Sequence, residues 1–239
     1  MKKYMWGVAL TAALGVGLTG GALAADMPLK APLAEAYYNW SGIYVGANAG
    51  YGRADAEWRG TITVNGAFDF SNHPKGALAG GQIGFNSQNG NWVMGVEITG
   101  DWSGLKETVP VTTTTGGAFS GTTKLRDLET LTGRLGYAIN NVLFYGKAGG
   151  ATGVVSVNGS TPGGVSFTFG ERDRLFGATV GGGIEYGLTR NIVLGAEYDF
   201  TRLYRGGFTV LDVVGNTVRL GAAHTFEVQS VVGRLSYKF

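Results

Sequence analysis

His73 and His224 are the only imidazoles of the chain, and each has an oxygen-bearing residue close by in sequence, Ser71 and Glu227 respectively. A serine activated by a histidine that a carboxylate orients is the machinery of acyl transfer and lipid modification. The two histidines fall in the first and last long connections of the chain, which become neighbours if the chain closes on itself. No motif fixes a triad around them, so they are expected to be surface residues and the protein is expected not to be an enzyme. With Arg202, Tyr204 and Arg205 the same histidines form a second candidate, a surface site for an iron porphyrin or another anionic ligand, although no ligand spacing organises them. Gly15, Gly17 and Gly20 spell G-x-G-x-x-G, but they lie in an apolar leader and follow no strand, so they are no dinucleotide site. Cysteine is absent, which removes disulfides, thiolate metal sites and a cysteine nucleophile. No catalytic residue, metal site or cofactor is expected.

A larger group of charges is organised by parity. Glu97, Asp101, Glu185, Glu197 and Asp199, with Arg134, Lys147, Arg234 and Lys238, all stand on the polar side of segments whose other side is apolar. Such alternation is the signature of a strand with two different environments. Eight segments carry it: 43–51, 77–85, 92–101, 131–137, 142–148, 176–186, 192–201 and 230–239. Stripes of about nine residues suit a tilted strand crossing a bilayer. Their connections alternate between short turns (87–91, 138–141 and 187–191) and long loops (53–75, 103–124, 155–173 and 202–224). Short periplasmic turns and long extracellular loops characterise outer-membrane barrels. The expected fold is therefore all-β: an eight-stranded antiparallel transmembrane barrel, closed so that no unpaired backbone group meets hydrocarbon.

Three long loops contain turn signals, Asn65-Gly66, Asn158-Gly159 and Gly215-Asn216, flanked by β-formers, and are expected to form hairpins. Thr112 to Thr115 with Gly116-Gly117 reads as a solvated loop tip. Trp40, Tyr44, Trp92, Trp102, Tyr137, Tyr186, Tyr198, Tyr204, Tyr237 and Phe239 are expected to form the two interfacial girdles. An eight-stranded interior is just wide enough for side chains to fill it. Four cations and five carboxylates there would be costly unless paired, so the expectation is a salt-bridged plug, with a small pore for ions or solutes as the alternative.

The two ends of the chain agree with a membrane destination. Lys2 and Lys3, the apolar run Met5 to Leu18 and the small residues of Ala22-Leu23-Ala24 read as a signal peptide over 1–24. Losing Lys2 and Lys3 would bring the 19 basic residues level with the 17 acidic ones, which leaves no general basic surface for nucleic acid. Residues 25–39, with Pro28 and Pro32, read as a periplasmic lead-in, and 40–239 as the barrel domain. With 43 glycines but 12% aromatics, the composition fits a narrow barrel in which small residues make room for long interior side chains. The ending Ser230–Phe239 alternates up to Tyr237 and Phe239, which are read as a C-terminal assembly signal.

Trp40-Ser41-Gly42-Ile43-Tyr44-Val45-Gly46-Ala47-Asn48-Ala49-Gly50-Tyr51-Gly52, Gly80-Gly81-Gln82-Ile83-Gly84-Phe85-Asn86 and Gly233-Arg234-Leu235-Ser236-Tyr237-Lys238-Phe239 resemble the small outer-membrane surface proteins of alphaproteobacteria, the RopB-like family with an OmpA-like transmembrane barrel. The resemblance runs over the whole mature chain. It implies an abundant outer-membrane protein with exposed loops and a role mainly in envelope integrity, and it carries no catalytic residues. The expected partners are outer-membrane lipid and lipopolysaccharide, the barrel-assembly machinery during insertion, and an external ligand or surface met by the loops. Because the chain stops at the last strand, no peptidoglycan-anchoring domain of the OmpA kind is expected.

Overall fold

The computed structural model describes residues 38–239 apart from 63–65, 113, 115, 117, 161–165, 169–172, 205–209, 214–215 and 221–224. The signal-peptide reading, residues 25–37 of the lead-in, Arg205 and His224 lie outside the described residues. Eight long strands form the wall: β1 (Gly42–Ile62), β3 (Lys75–Asn89), β4 (Trp92–Ser103), β6 (Ala118–Ile139), β7 (Val142–Ser160), β9 (Asp173–Gly187), β10 (Ile192–Tyr204) and β13 (Thr225–Lys238). Each pairs antiparallel with the next, and β1 pairs with β13 from Tyr44↔Lys238 to Ala56↔Phe226, which closes the ring. Closure satisfies every ladder without an open edge in lipid.

Alternation decides which way each side chain points. Ile43, Val45, Ile83, Phe85, Val96, Leu131, Phe144, Val180, Leu194, Val231 and Leu235 are all exposed on the outer wall, the band that hydrocarbon covers. Trp92 packs edge-on against Tyr137 at 5.3 Å, and Tyr237 against Phe239 at 5.1 Å, at the short-turn end. Tyr51, Trp102, Phe176, Tyr198 and Tyr204 are exposed towards the other end. Trp40 and Tyr44 do not belong to either girdle. They are 1% and 4% exposed, inside the barrel, because Tyr44 sits on the inward parity of β1 and Trp40 turns under the mouth.

The short connections are tight. Asn89↔Trp92 and Ile139↔Val142 close two-residue turns, with Gly90 at φ 60° and Asn140 at φ 52°, the left-handed geometry that glycine and asparagine tolerate best.

At the other end the strands continue past the membrane-spanning stripes. β1 runs on to pair with β2 (Gly66–Asn72), β6 pairs with β5 (Lys106–Thr112), β7 pairs with β8 (Ser166–Thr168), and β11 (Val210–Val213) pairs with β12 (Asn216–Leu220), which in turn joins β1. The first and last of the expected hairpins thus form where their turn signals lie. Asn158-Gly159 is different: both residues are inside β7, opposite Thr168 and Phe167, so this loop turns later than its strongest dipeptide suggests. The loop between β4 and β6 also becomes a hairpin, with Gly116 at its tip at φ 88°.

Candidate functional site: the filled barrel interior

The interior is built in layers. Nearest the short turns, Tyr38, Trp40, Val93, Ala138, Leu143 and Val193 form a buried apolar cluster, with the Tyr38 and Trp40 rings 4.6 Å apart. Tyr38 and Trp40, just before β1, therefore fill the barrel mouth at this end.

Above this lies the charged layer, to which all eight wall strands contribute. Glu97 on β4 is its hub. Its carboxylate accepts hydrogen bonds from Tyr44 Oη on β1 at 2.7 Å, from Arg134 Nη1 on β6 at 3.3 Å and from Arg234 Nη1 on β13 at 3.1 Å, with a second, shorter contact from Arg234 Nη2. Arg134 reaches the other way to Glu185 on β9 at 2.8 Å and also donates to Tyr44 Oη at 2.8 Å. Lys147 on β7 binds Glu197 on β10 at 2.7 Å and Asp199 at 3.2 Å. Glu197 is further held by Arg234 and by the hydroxyl of Tyr145 at 2.5 Å. The Arg134 guanidinium lies 3.9 Å from the Tyr145 ring centroid, a stacked cation–π arrangement. The side chains of Glu97, Glu185, Glu197, Arg134, Lys147 and Arg234 are each at most 5% exposed.

β3 takes part by vacating space. A Cβ at Gly84 would stand 2.3 Å from Tyr44 Oη, and one at Gly183 on β9 would stand 2.7 Å from Tyr145 Oη. Glycine is required at these two positions because a phenol and a backbone carbonyl, that of Val96 at Gly84 and of Ala196 at Gly183, together occupy the volume any other side chain would need.

Two of the nine charges expected in this network sit apart from it. Lys238 points inward, but its ammonium donates to the Asn39 carbonyl and lies 4.9 Å from the Tyr38 ring centroid. It belongs to the mouth layer because it is the last residue of β13, four residues beyond Arg234 along the strand. Asp101 faces the lumen above the network, opposite Gly80, and forms no ion pair among the described residues. The other seven, Glu97, Arg134, Lys147, Glu185, Glu197, Asp199 and Arg234, lie together in the charged layer.

A neutral polar layer follows. Gln82 bridges Asn48 and Ser236, each at 3.2 Å, and Thr179 meets Thr201 at 2.9 Å. Beyond it, towards the long hairpins, Leu78, Leu105, Leu125, Leu128, Leu175, Leu203, Phe226 and Val228 form a buried apolar core with Ala54, Ala56, Val111, Ala151 and Val155.

Sequence reasoning did not assign roles to Tyr145 or Tyr44 in the network, nor to three asparagines at the short turns. The signal for the tyrosines was parity, since Tyr145 shares its side of the strand with Lys147 and Tyr44 its side with the polar Asn48. Asn91, Asn141 and Asn191 each end a turn, and each amide donates to a carbonyl on the strand beyond: Ala138 at 2.9 Å, Gly187 at 3.2 Å and Lys238 at 2.7 Å. The backbone returns each contact, from Ala138, Gly187 and Lys238 N–H to the carbonyls of the same asparagines. No sequence signal separates this clamping from ordinary turn propensity.

The surface candidates are engaged differently from the triad or porphyrin readings. His73 Nδ1 lies 2.7 Å from Asp55 Oδ1, and Arg202 is bound to Glu227 at 2.6 Å.

A closed antiparallel barrel of eight strands, with an apolar outer band, aromatic ends and a polar interior, is a protein of the bacterial outer membrane. The chain belongs to the family described as outer membrane protein beta-barrel domain, whose profile matches residues 11–239. It is 31% identical to the 25 kDa outer-membrane immunogenic protein of Brucella canis over 213 residues, 89% of this chain and 85% of that one. It is 33% identical to the 22 kDa outer membrane protein of Rhizobium leguminosarum over 165 residues, 68% of this chain and 64% of the other. Among solved structures, the outer membrane protease OmpT from Escherichia coli aligns with a TM-score of 0.52 at 12% identity, covering 83% of this chain and 97% of that one. At that identity the likeness is one of fold alone. The relatives agree with the alphaproteobacterial resemblance carried by the opening and closing strands.

Proposed function

We propose that this protein is a non-catalytic structural barrel of the outer membrane, contributing to envelope integrity and presenting its long hairpins to the exterior, with an interior that does not conduct. The observation that carries this reading is the continuity of the filling. Trp40 and its neighbours, the Glu97–Arg134–Arg234–Glu197 cluster, the Gln82 layer and the Leu125 core follow one another along the barrel axis. Ion conduction needs a continuous wet path, and water-filled lumens belong to barrels with many more strands. A buried network in which each charge has several partners is also a rigid one.

Planar-bilayer conductance of purified, refolded protein tests the reading, after a heat-dependent gel shift has confirmed folding. A silent bilayer at high protein occupancy is the expected result. Discrete, reproducible steps abolished by denaturation would overturn it and make the interior charges selectivity residues of a small porin.

A further inference from the structure

Four cations stand side by side on the outer wall at the long-hairpin end. Arg53 on β1 is directly opposite Lys75 on β3, Lys75 is opposite Lys106 on β5, and Lys106 is opposite Lys124 on β6. Their outward direction follows from parity, since Ala54, Leu105 and Leu125 beside them are buried in the interior core. The row is flanked by the neutral residues Gln229 and Ser156.

Residues directly opposite in an antiparallel ladder are about 5 Å apart, and like charges there repel. Among the described residues, none of the four forms an ion pair. Of the carboxylates close to them in sequence, Asp55 holds the His73 ring, Glu107 accepts the His73 backbone N–H, and Asp127, opposite Trp102, forms no ion pair with them. Other cations near this end of the outer wall are matched, Arg174 by Glu129 at 2.8 Å and Arg202 by Glu227 at 2.6 Å. Among the described residues at this end of the outer wall, the uncompensated positive charge therefore gathers in one sector of the barrel.

The height of this sector identifies what would compensate it. Arg53 lies two residues beyond the exposed Tyr51 on the same strand, about 7 Å further along it, and Lys106 follows the exposed Trp102. The row thus sits just outside the aromatic level, where lipid headgroups begin. Beside it the register of β6 skips Arg126 at a bulge, and Arg126, Asp127, Val154 and Arg174 line a recess of about 430 Å³.

We propose that Arg53, Lys75, Lys106 and Lys124 form a binding site for the phosphate groups of lipopolysaccharide in the outer leaflet. Phosphates fixed on a sugar headgroup match a row of cations whose spacing the β-ladder holds constant, and each bound phosphate relieves the repulsion between adjacent lysines.

The test uses refolded full-length barrel in detergent, titrated separately with lipopolysaccharide, with the same lipopolysaccharide after enzymatic dephosphorylation, and with phosphatidylglycerol vesicles. The double variant Lys75→Gln/Lys106→Gln should retain the heat-dependent gel shift, because both side chains lie on the outer face. Removing a cation near an anionic lipid surface lowers affinity by roughly fivefold each, so this variant should bind lipopolysaccharide on the order of 25-fold more weakly. Arg202→Gln, which disrupts a compensated pair, should change it by less than about twofold. Dephosphorylated lipopolysaccharide should bind the wild type no better than the double variant binds the intact lipid. Undiminished binding by the folded double variant, or undiminished binding of the dephosphorylated lipid, would overturn the site. Phosphatidylglycerol binding as tightly as lipopolysaccharide would reduce it to a general anionic surface and would equally overturn the proposal.

Discussion

Glu97 has three polar partners within 3.3 Å, on three different strands, so its removal takes from each of two buried guanidinium groups one of its carboxylates and leaves excess positive charge in the interior. Breaking a buried ion pair by deleting one partner destabilises by about 3–5 kcal/mol. Glu97→Ala and Arg134→Ala should each lower the unfolding midpoint of the refolded barrel by an amount in that range, read from the gel shift against temperature or urea. Unchanged midpoints in both would refute an interior network that holds the wall together. Gly84→Ala should be comparably damaging, because its Cβ would stand 2.3 Å from Tyr44 Oη and 2.8 Å from the Val96 carbonyl, and neither the phenol nor the backbone has room to retreat. Coupling Gly84→Ala with Tyr44→Phe should not recover the loss, because the ring carbon Cζ would still stand 2.4 Å from the new Cβ; a double variant as stable as wild type would show that the hydroxyl alone made the clash.

At the scale of elements, the short turns do more than reverse the chain. Asn91, Asn141 and Asn191 each bind the strand beyond their own hairpin in both directions, through the amide and through the carbonyl. Together they fasten β4 to β6, β7 to β9 and β10 to β13 at the rim where each wide gap between hairpins begins. A hydrogen bond of this kind contributes about 1 kcal/mol net. Replacing one of these asparagines with alanine should cost roughly that much, and the triple variant roughly three times it if the sites are independent. The asparagine backbone carbonyls remain in every variant, so native-like pairing should survive. A triple variant as stable as the wild type in urea titration would exclude the clamping role.

For the whole molecule, closure is layered, and the layers are chemically different. Trp40 and its neighbours seal the mouth, paired charges fill the middle, and a leucine-rich core fills the end that carries the hairpins. Opening one layer should not open the barrel. Trp40→Ala should therefore weaken the mouth cluster yet remain silent in planar bilayers. Conductance in Trp40→Ala would show that the charged and leucine-rich layers are permeable and that the mouth alone closes the lumen.

Strand number, antiparallel order, the alternation of short turns and long hairpins and the inward parity of the charges were all legible in the sequence. Period-two patterning is local, and a closed wall gives it only two destinations, lipid or lumen. The same parity could have placed Tyr44 and Tyr145 inside, but tyrosine suits an interface equally well, and only the glycines directly opposite on the adjacent strands, Gly84 and Gly183, show where each ring has room. Nothing along the chain marked Lys238 as belonging to the mouth and not to the network, since parity gives a direction and height along the axis comes from register. Register likewise joined Arg53, Lys75, Lys106 and Lys124, residues from four different strands, into one row. The sequence by itself determined which side of the wall each residue occupies; the tertiary structure decided which residues share a level around it, because strand tilt and cross-strand pairing relate distant segments that no local pattern connects.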